Sequence, residues 1–486
     1  MKKILIIVLC AIFVLSACSD DKNSKSDETT TTVPKVGKVA YEECGKYLCA
    51  TIKVPLNYAK PKGRKINIAI KTLSAADPKK RKGILLINPG GPGASGAEFV
   101  STVESLVSRE ILDSFDIVGW DPRGVGESSK PACSTKLDYL FDGVDYSPDN
   151  DAEKEKLIDV NKQFGEECVG DDKDLAAHID TIESAKDMDE IRQALGEKQI
   201  NYLGYSYGTA LGQIYSTLFP KNYRSIVIDG VLNVGLDPLQ TTGDQAIAFE
   251  NAFRSFFEYC RRNACKYSAG QDPEVVFANL ENQIENKPIG TLNGEIVDTS
   301  QFMIGTSVFL YGGEEAWPSL DGALQQLIAG DTSGILYGYE LYVGRDNLGT
   351  YDGEYASFLS ILCADGKLAD SNELFDYAAK IGKQAPLMGE STILLGIQCS
   401  YYPHVKKAKA FKVDNSKGNP VMVIGTTGDP ATPIEAARAV AKNLKSTYLE
   451  FKGEGHTAYG RSNACVNNTV EAYLLKETAP KETTYC

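Results

Sequence analysis

The chain has 486 residues, of which 43% are hydrophobic, and a formal charge of −14. That length suits one large domain with a sizeable insertion, or two to three small ones. The acidic balance argues against a nucleic-acid partner and against charge-driven adhesion to anionic lipid.

Residues 1–17 read as an export leader. Lys2 and Lys3 form a positive start, residues 4–14 form an apolar run, and Leu15-Ser16-Ala17-Cys18 closes it with small residues before a cysteine. That is the pattern of a bacterial lipoprotein signal, in which Cys18 becomes the lipidated first residue. The run is too short to span a bilayer. Loss of Lys2 and Lys3 takes the formal charge from −14 to −16. Residues 18–38 hold mostly Ser, Thr, Asp and Lys, too polar to fold, and read as a flexible tether. The expected location is outside the cytoplasm, held at the cell membrane through lipid on Cys18.

Of the 12 cysteines, Cys10 lies in the leader and Cys18 ends it, which leaves an even set for disulfides in an exported chain. Spacing does not fix the connectivity. Pairing neighbours along the chain gives Cys44–Cys49, Cys133–Cys168, Cys260–Cys265, Cys363–Cys399 and Cys465–Cys486. A metal site is the poorer reading, because there is no Cys-x-x-Cys and only 3 histidines exist. No metal or cofactor is expected.

Lys82-Gly83-Ile84-Leu85-Leu86-Ile87-Asn88 is an apolar run of strand length, suited to burial on both faces. It runs into Pro89-Gly90-Gly91-Pro92-Gly93-Ala94-Ser95-Gly96. Phe115-Asp116-Ile117-Val118-Gly119-Trp120 is a second such strand, leading to Asp121-Pro122-Arg123-Gly124. Residues 130–176 form a polar excursion, expected to loop out and close on its cysteine pair. Helical spacing covers 180–195 and stops at Gly196. A strand then leads to Ser206, and Arg224-Ser225-Ile226-Val227-Ile228-Asp229 is another. This alternation predicts an α/β fold with a mostly parallel sheet flanked by helices. Between 237 and 405 helical segments prevail, read as an all-helical cap over the sheet. Strands resume at Val421-Met422-Val423-Ile424 and Thr447-Tyr448-Leu449, so the core is split into 39–236 and 406–486.

Gly204-Tyr205-Ser206-Tyr207-Gly208, between a strand and a helix of small residues, has the context of a nucleophile elbow. A serine needs an adjacent base. In the order serine, acid, histidine found with such elbows, only His456 qualifies, in Gly453-Glu454-Gly455-His456 after the last strand. His178 precedes the serine, and His404 sits at the rim of the insertion; both read as structural or solvated. Asp429, in a glycine-containing loop after a buried strand, is the candidate acid. Thr432-Pro433-Ile434-Glu435 has the form of a capping box, with the Thr432 hydroxyl also near enough in sequence to support Asp429. An oxyanion needs two backbone donors. The N–H of Tyr207 is one. Gly91 is the favoured second, with its neighbour Gly90 open. The glycine loop lacks the lysine and spacing of a phosphate cradle. Asp121 and Arg123 read as structural.

With these pieces in place the chain resembles the exported α/β-hydrolase peptidases related to prolyl aminopeptidase, serine peptidase family S33, nearest the tripeptidyl aminopeptidase branch. The resemblance is carried by Asn88-Pro-Gly-Gly-Pro-Gly-Ala-Ser-Gly96, Gly119-Trp-Asp-Pro-Arg-Gly-Val-Gly126, Gly204-Tyr-Ser-Tyr-Gly208, Asp429-Pro-Ala-Thr-Pro433 and Gly453-Glu-Gly-His456. It implies an α/β-hydrolase fold, a Ser206, Asp429, His456 triad, and a helical cap that restricts substrates to peptide N-termini. One departure is Pro89, where prolyl aminopeptidases carry histidine; it fits the tripeptidyl branch better. An aminopeptidase must neutralise its substrate's ammonium, and Glu314 and Glu315 before Trp317 are candidates. The plainer reading of those two is a solvated helix start. Expected partners are peptide substrates and the membrane, with the chain a monomer. An esterase using the same triad, or a non-catalytic lipoprotein, are the competing expectations.

Overall fold

The computed structural model describes residues 39–486, apart from 134–135, 291–295, 403–405, 445 and 481. Cys18, the leader, the tether and His404 lie outside the described residues. The sheet begins with β1 (Glu42–Cys44), β2 (Tyr47–Pro55) and β3 (Lys65–Leu73), paired antiparallel. The apolar runs that predict strands begin only at Lys82 and do not mark these three. Their signal is strict alternation: in β3, Ile66, Ile68 and Ile70 are buried while Lys65 and Asn67 face water. Strands half-open to solvent lack the continuous apolar run that marks a central strand.

The central strands follow: β4 (Ile84–Asn88), β5 (Asp116–Trp120), β6 (Ile200–Tyr205) and β7 (Tyr223–Asp229). A separate antiparallel ribbon, β8 (Ile289–Gly290) and β9 (Ile296–Val297), lies in the insertion, which is therefore not wholly helical. Then come β10 (Val421–Gly428), β11 (Thr447–Glu454) and β12 (Thr484–Tyr485). The sheet order is β1-β2-β3-β5-β4-β6-β7-β10-β11-β12, parallel from β5 onward. Both faces of the central strands are apolar. Leu86, Tyr202, Ile228 and Val423 belong to one core, and the alternate residues Leu85, Leu203, Val227 and Ile424 belong to the other. Register brings the carboxyl ends level: Asn88 pairs with Gly204, Tyr205 with Asp229, and Asp229 with Ile424. Ligands of open α/β sheets bind at that edge.

Between β7 and β10 the chain builds a helical layer. Its first two helices, Pro238–Asn263 and Pro273–Asn286, each start with an aspartate N-cap and proline at the first turn. The layer has its own aromatic core of Phe253, Phe256, Phe277, Phe302 and Trp317. The excursion at 130–176 is not looped out. It supplies the helix Asp151–Val169, and its Leu140, Phe141 and Phe164 pack against Tyr339, Tyr355 and Leu359 of the insertion. Its sparse apolar residues find partners about two hundred residues away, which no local pattern reveals.

The five neighbour pairings of cysteines are all formed. Such a set belongs to a chain that matures in an oxidising compartment outside the cytoplasm. Cys465–Cys486 closes a loop of sequence separation 21, worth about 3 kcal/mol by chain entropy. Among the described residues no helix is long and apolar enough to cross a membrane.

Candidate active site

Ser206 stands directly after β6 with φ of 52°, a left-handed backbone that a serine adopts only where the surroundings impose it. The turn is held from three sides. The Ser206 N–H donates to the Asp229 carbonyl at 2.9 Å, and the Thr209 N–H and hydroxyl donate back to the Ser206 carbonyl at 2.8 and 2.6 Å. The flanking glycines are steric necessities. A Cβ on Gly204 would lie 2.5 Å from the Gly208 carbonyl oxygen, and one on Gly208 would lie 2.8 Å from Asn88 Oδ1.

The loop after β4 lies against this elbow. A Cβ on Gly90 would sit 2.8 Å from the Cβ of Ser206 and 3.2 Å from the Tyr207 nitrogen. Gly90 is thus the residue in contact, but its N–H is engaged by Asn88 Oδ1 at 3.0 Å. Among the described residues, neither the Gly91 N–H nor the Tyr207 N–H has a protein acceptor. Two unengaged donors, one after each of the paired strands β4 and β6, are what an oxyanion requires.

His456 follows β11, and Asp429 follows β10. The ring nitrogen Nδ1 lies 2.8 and 2.9 Å from the two carboxylate oxygens of Asp429. The same carboxylate accepts the Ala431 and Thr432 N–H groups at 2.9 and 2.8 Å and the Thr432 hydroxyl at 2.9 Å. The Thr432 hydroxyl thus serves Asp429, and the next helix begins at Ile434. With Nδ1 committed, Nε2 is the free nitrogen, and it is buried without a protein partner among the described residues. The ring touches the elbow's support: a Cβ on Gly230 would lie 2.9 Å from His456 Cε1, and Gly230 adjoins the Asp229 carbonyl that binds Ser206.

Strand-end serine, acid and histidine in chain order, on a parallel sheet, match the alpha/beta hydrolase fold over residues 83–460. The chain belongs to the alpha/beta hydrolase family. This hydrolase is similar to the serine protease Hip1 of Mycobacterium tuberculosis, with 32% identity over 91% of this chain and 88% of that protein. It is 31% identical to the tripeptidyl aminopeptidase of Streptomyces lividans over 88% of this chain and 81% of that one. It is also 32% identical to carboxylesterase B of M. tuberculosis, over 90% and 86%. It is an enzyme of the serine-hydrolase type.

The hydrolase site includes Asp229, which closes β7 outside any of the motifs. Asp229 Oδ2 accepts the N–H groups of Ala458 and Tyr459 at 2.9 and 2.7 Å, so it fixes the loop that carries His456, while its carbonyl fixes Ser206. Burial pushes its carboxyl up to about 6, against the pull of those two N–H donors, and nearby Asp429 adds to the rise. The signal was present: an aspartate closing an otherwise apolar buried strand. Tyr311 is a second addition. Its carbonyl accepts the His456 N–H at 2.8 Å, and its ring meets the imidazole edge-on at 5.4 Å.

Glu314 and Glu315 stand on the same turn as Tyr311, with both side chains exposed and Glu314 3.6 Å from Arg262. His178 lies away from the site, with Nδ1 2.8 Å from the Asp174 carbonyl. Arg123 is fully buried, paired with Asp187 at 2.7 Å and bonded to the carbonyls of Pro55, Leu56 and His178. Asp121 accepts the Ser95 hydroxyl at 2.6 Å and the Glu127 N–H at 2.9 Å, which fixes the far end of the glycine loop. A cleft of about 590 Å³ opens beside Gly93 and Ser95, lined with Glu42, Glu127, Asp352, Glu354 and Lys130. Among the described residues no group of three His, Cys, Asp or Glu side chains is arranged to hold a metal ion.

Proposed function

We propose that the protein is an exported serine exopeptidase, anchored by lipid on Cys18, that releases tripeptides from peptide N-termini. Ser206, His456 and Asp429 are its triad. The observation that carries this reading is the orphaned Nε2 of His456, on a ring clamped by Asp429 and packed against the support of the Ser206 turn. In the reaction, Nε2 takes the Ser206 hydroxyl proton as Oγ bonds to the scissile carbonyl carbon. The carbonyl oxygen becomes the oxyanion and meets the N–H groups of Tyr207 and Gly91. As the intermediate collapses, the C–N bond breaks and His456 protonates the departing amine. Water, deprotonated by His456, then attacks the acyl ester and frees Ser206. Asp429 keeps Nδ1 protonated throughout and stabilises the imidazolium.

Restriction to N-termini needs a carboxylate for the substrate's ammonium. Two places supply one: Glu314 and Glu315 on the Tyr311 turn, and the acidic cleft with Asp352 and Glu354 beside the glycine loop. The likeness to a tripeptidyl aminopeptidase supports the peptide reading, and the likeness to a carboxylesterase supports an ester-cleaving alternative with the same triad. A fluorogenic panel separates them: a free-amine tripeptide, its N-blocked form, a single amino acid and a short-chain ester. Preference for the free-amine tripeptide, lost in Ser206→Ala, is the expected result. Ester turnover without peptide turnover would overturn it.

A further inference from the structure

The helix Glu354–Asp365 of the insertion touches both sides of the elbow at once. Its first turn lies on the glycine loop: a Cβ on Gly93 would come within 2.5 Å of the Glu354 carbonyl oxygen and 2.7 Å of the Phe358 nitrogen. The Ser95 N–H donates to Glu354 Oε1 at 3.2 Å. Its last residue reaches the other side. Asp365 accepts the Thr181 N–H at 2.7 Å and the Thr181 hydroxyl at 2.5 Å. The Tyr207 hydroxyl lies 2.7 Å from Thr181 Oγ1. Because the single Thr181 proton goes to Asp365, Tyr207 is the donor in that bond. The side chain of Tyr207, whose own N–H faces the oxyanion position, is therefore tied through Thr181 to the end of a helix from the insertion. Two disulfides steady that helix: Cys363 in its last turn bonds Cys399, and Ser360 Oγ lies 3.3 Å from Cys133, which bonds Cys168.

We propose that this helix sets the oxyanion hole, with Asp365 and Thr181 as positioning residues that hold Tyr207 and the Glu354 end holding the Gly91 loop. The inference rests on the oxyanion assignment above. A left-handed serine persists only where neighbours over-determine the turn, and the Tyr207 tether adds a restraint that comes from the insertion. Without it the Tyr207 N–H loses its aim at the developing charge, while ground-state binding of the substrate is little changed. The loss thus falls on kcat and spares KM.

The test uses the full chain and three variants, Thr181→Val, Thr181→Ser and Asp365→Asn. For each, kcat and KM are measured on the free-amine tripeptide and on the short-chain ester. Active sites are counted by fluorophosphonate labelling, so that unfolded molecules do not enter kcat. Loss of one oxyanion donor costs roughly 100- to 1000-fold in kcat, and a misaimed donor less. Thr181→Val and Asp365→Asn are expected to lower kcat about 10- to 100-fold on both substrates, with KM within about threefold. Thr181→Ser, which keeps the hydroxyl, is expected to return kcat to within about threefold of the wild type. Unchanged kcat per labelled site in Thr181→Val overturns the proposal, as does a loss in KM alone. Absence of wild-type labelling at Ser206 overturns the catalytic reading as well, so the two failures are distinguishable.

Discussion

The carboxyl edge of the sheet and the helical layer above it are built on different rules. At the edge, Ser206, Asp429 and His456 each follow the tip of a parallel strand, and strand register brings those tips together. In the helical layer, position comes from side-chain packing between segments far apart in sequence, as when Phe141 meets Tyr339 and Tyr355. The contrast teaches that the strand-end residues sit where backbone hydrogen bonds fix geometry, and the insertion where packing can vary. Perturbing the edge should therefore abolish turnover with little loss of fold, and perturbing the layer's aromatic core, away from the helix Glu354–Asp365, should do the reverse.

The largest effect belongs to the edge. Ser206→Ala and Asp429→Asn should each lower kcat by about 10⁴-fold or more while leaving the melting temperature near that of the wild type. A comparable fall in stability, seen calorimetrically, would blur the contrast. On the layer side, Phe256 is fully buried against Tyr267 and Trp317. Phe256→Ala should cost about 3–5 kcal/mol in urea unfolding, yet ester kcat per active site should stay within a few-fold. If ester turnover collapsed as well, the aromatic core, and not the helix Glu354–Asp365 alone, would be part of the catalytic frame.

Asp229 joins the two concerns, since it is buried in the sheet and holds the histidine loop. Its carboxyl is raised from the ordinary 3.8 to about 6. The native state thus holds this proton more tightly than the unfolded chain does. The stability it lends is complete below about pH 4 and is lost as pH rises through 6, a change of roughly 3 kcal/mol. Relative to the wild type, Asp229→Asn should gain about that much between pH 4 and pH 8 in denaturant titrations. Parallel pH slopes for the two proteins would refute the shift. The smallest effect concerns recognition: Glu354→Gln should raise KM for the free-amine tripeptide about tenfold and leave the ester's KM alone. The same outcome for Glu314→Gln instead would move the amine site to the Tyr311 turn.

The parts legible in the sequence are those whose cause is local. Ser206 lies between glycines that the turn requires, Asp429 and His456 each follow a buried strand, and the cysteines pair with their neighbours. The antiparallel strands β2 and β3 were legible in their alternation but lack an apolar run. Beyond Asp229, the support around the site was not legible. Asp365 and Thr181 are separated by 184 residues, and neither stands in a motif. Thr432 reads both as a helix cap and as support for Asp429, because both use the same hydroxyl three residues from an acid; the fold shows the second.

The short strand β12 has a consequence beyond its size. It pairs with β11 at Leu449 and Glu450, and the Cys486 N–H donates to the Glu450 carbonyl at 2.9 Å, so the chain's tail covers the open side of the sheet beside the histidine strand. Uncovered strand edges recruit strands from other molecules. Cys465–Cys486 holds that cover in place. Oxidation thus fastens the strand that shields this border of the sheet to the helix Ala464–Lys476.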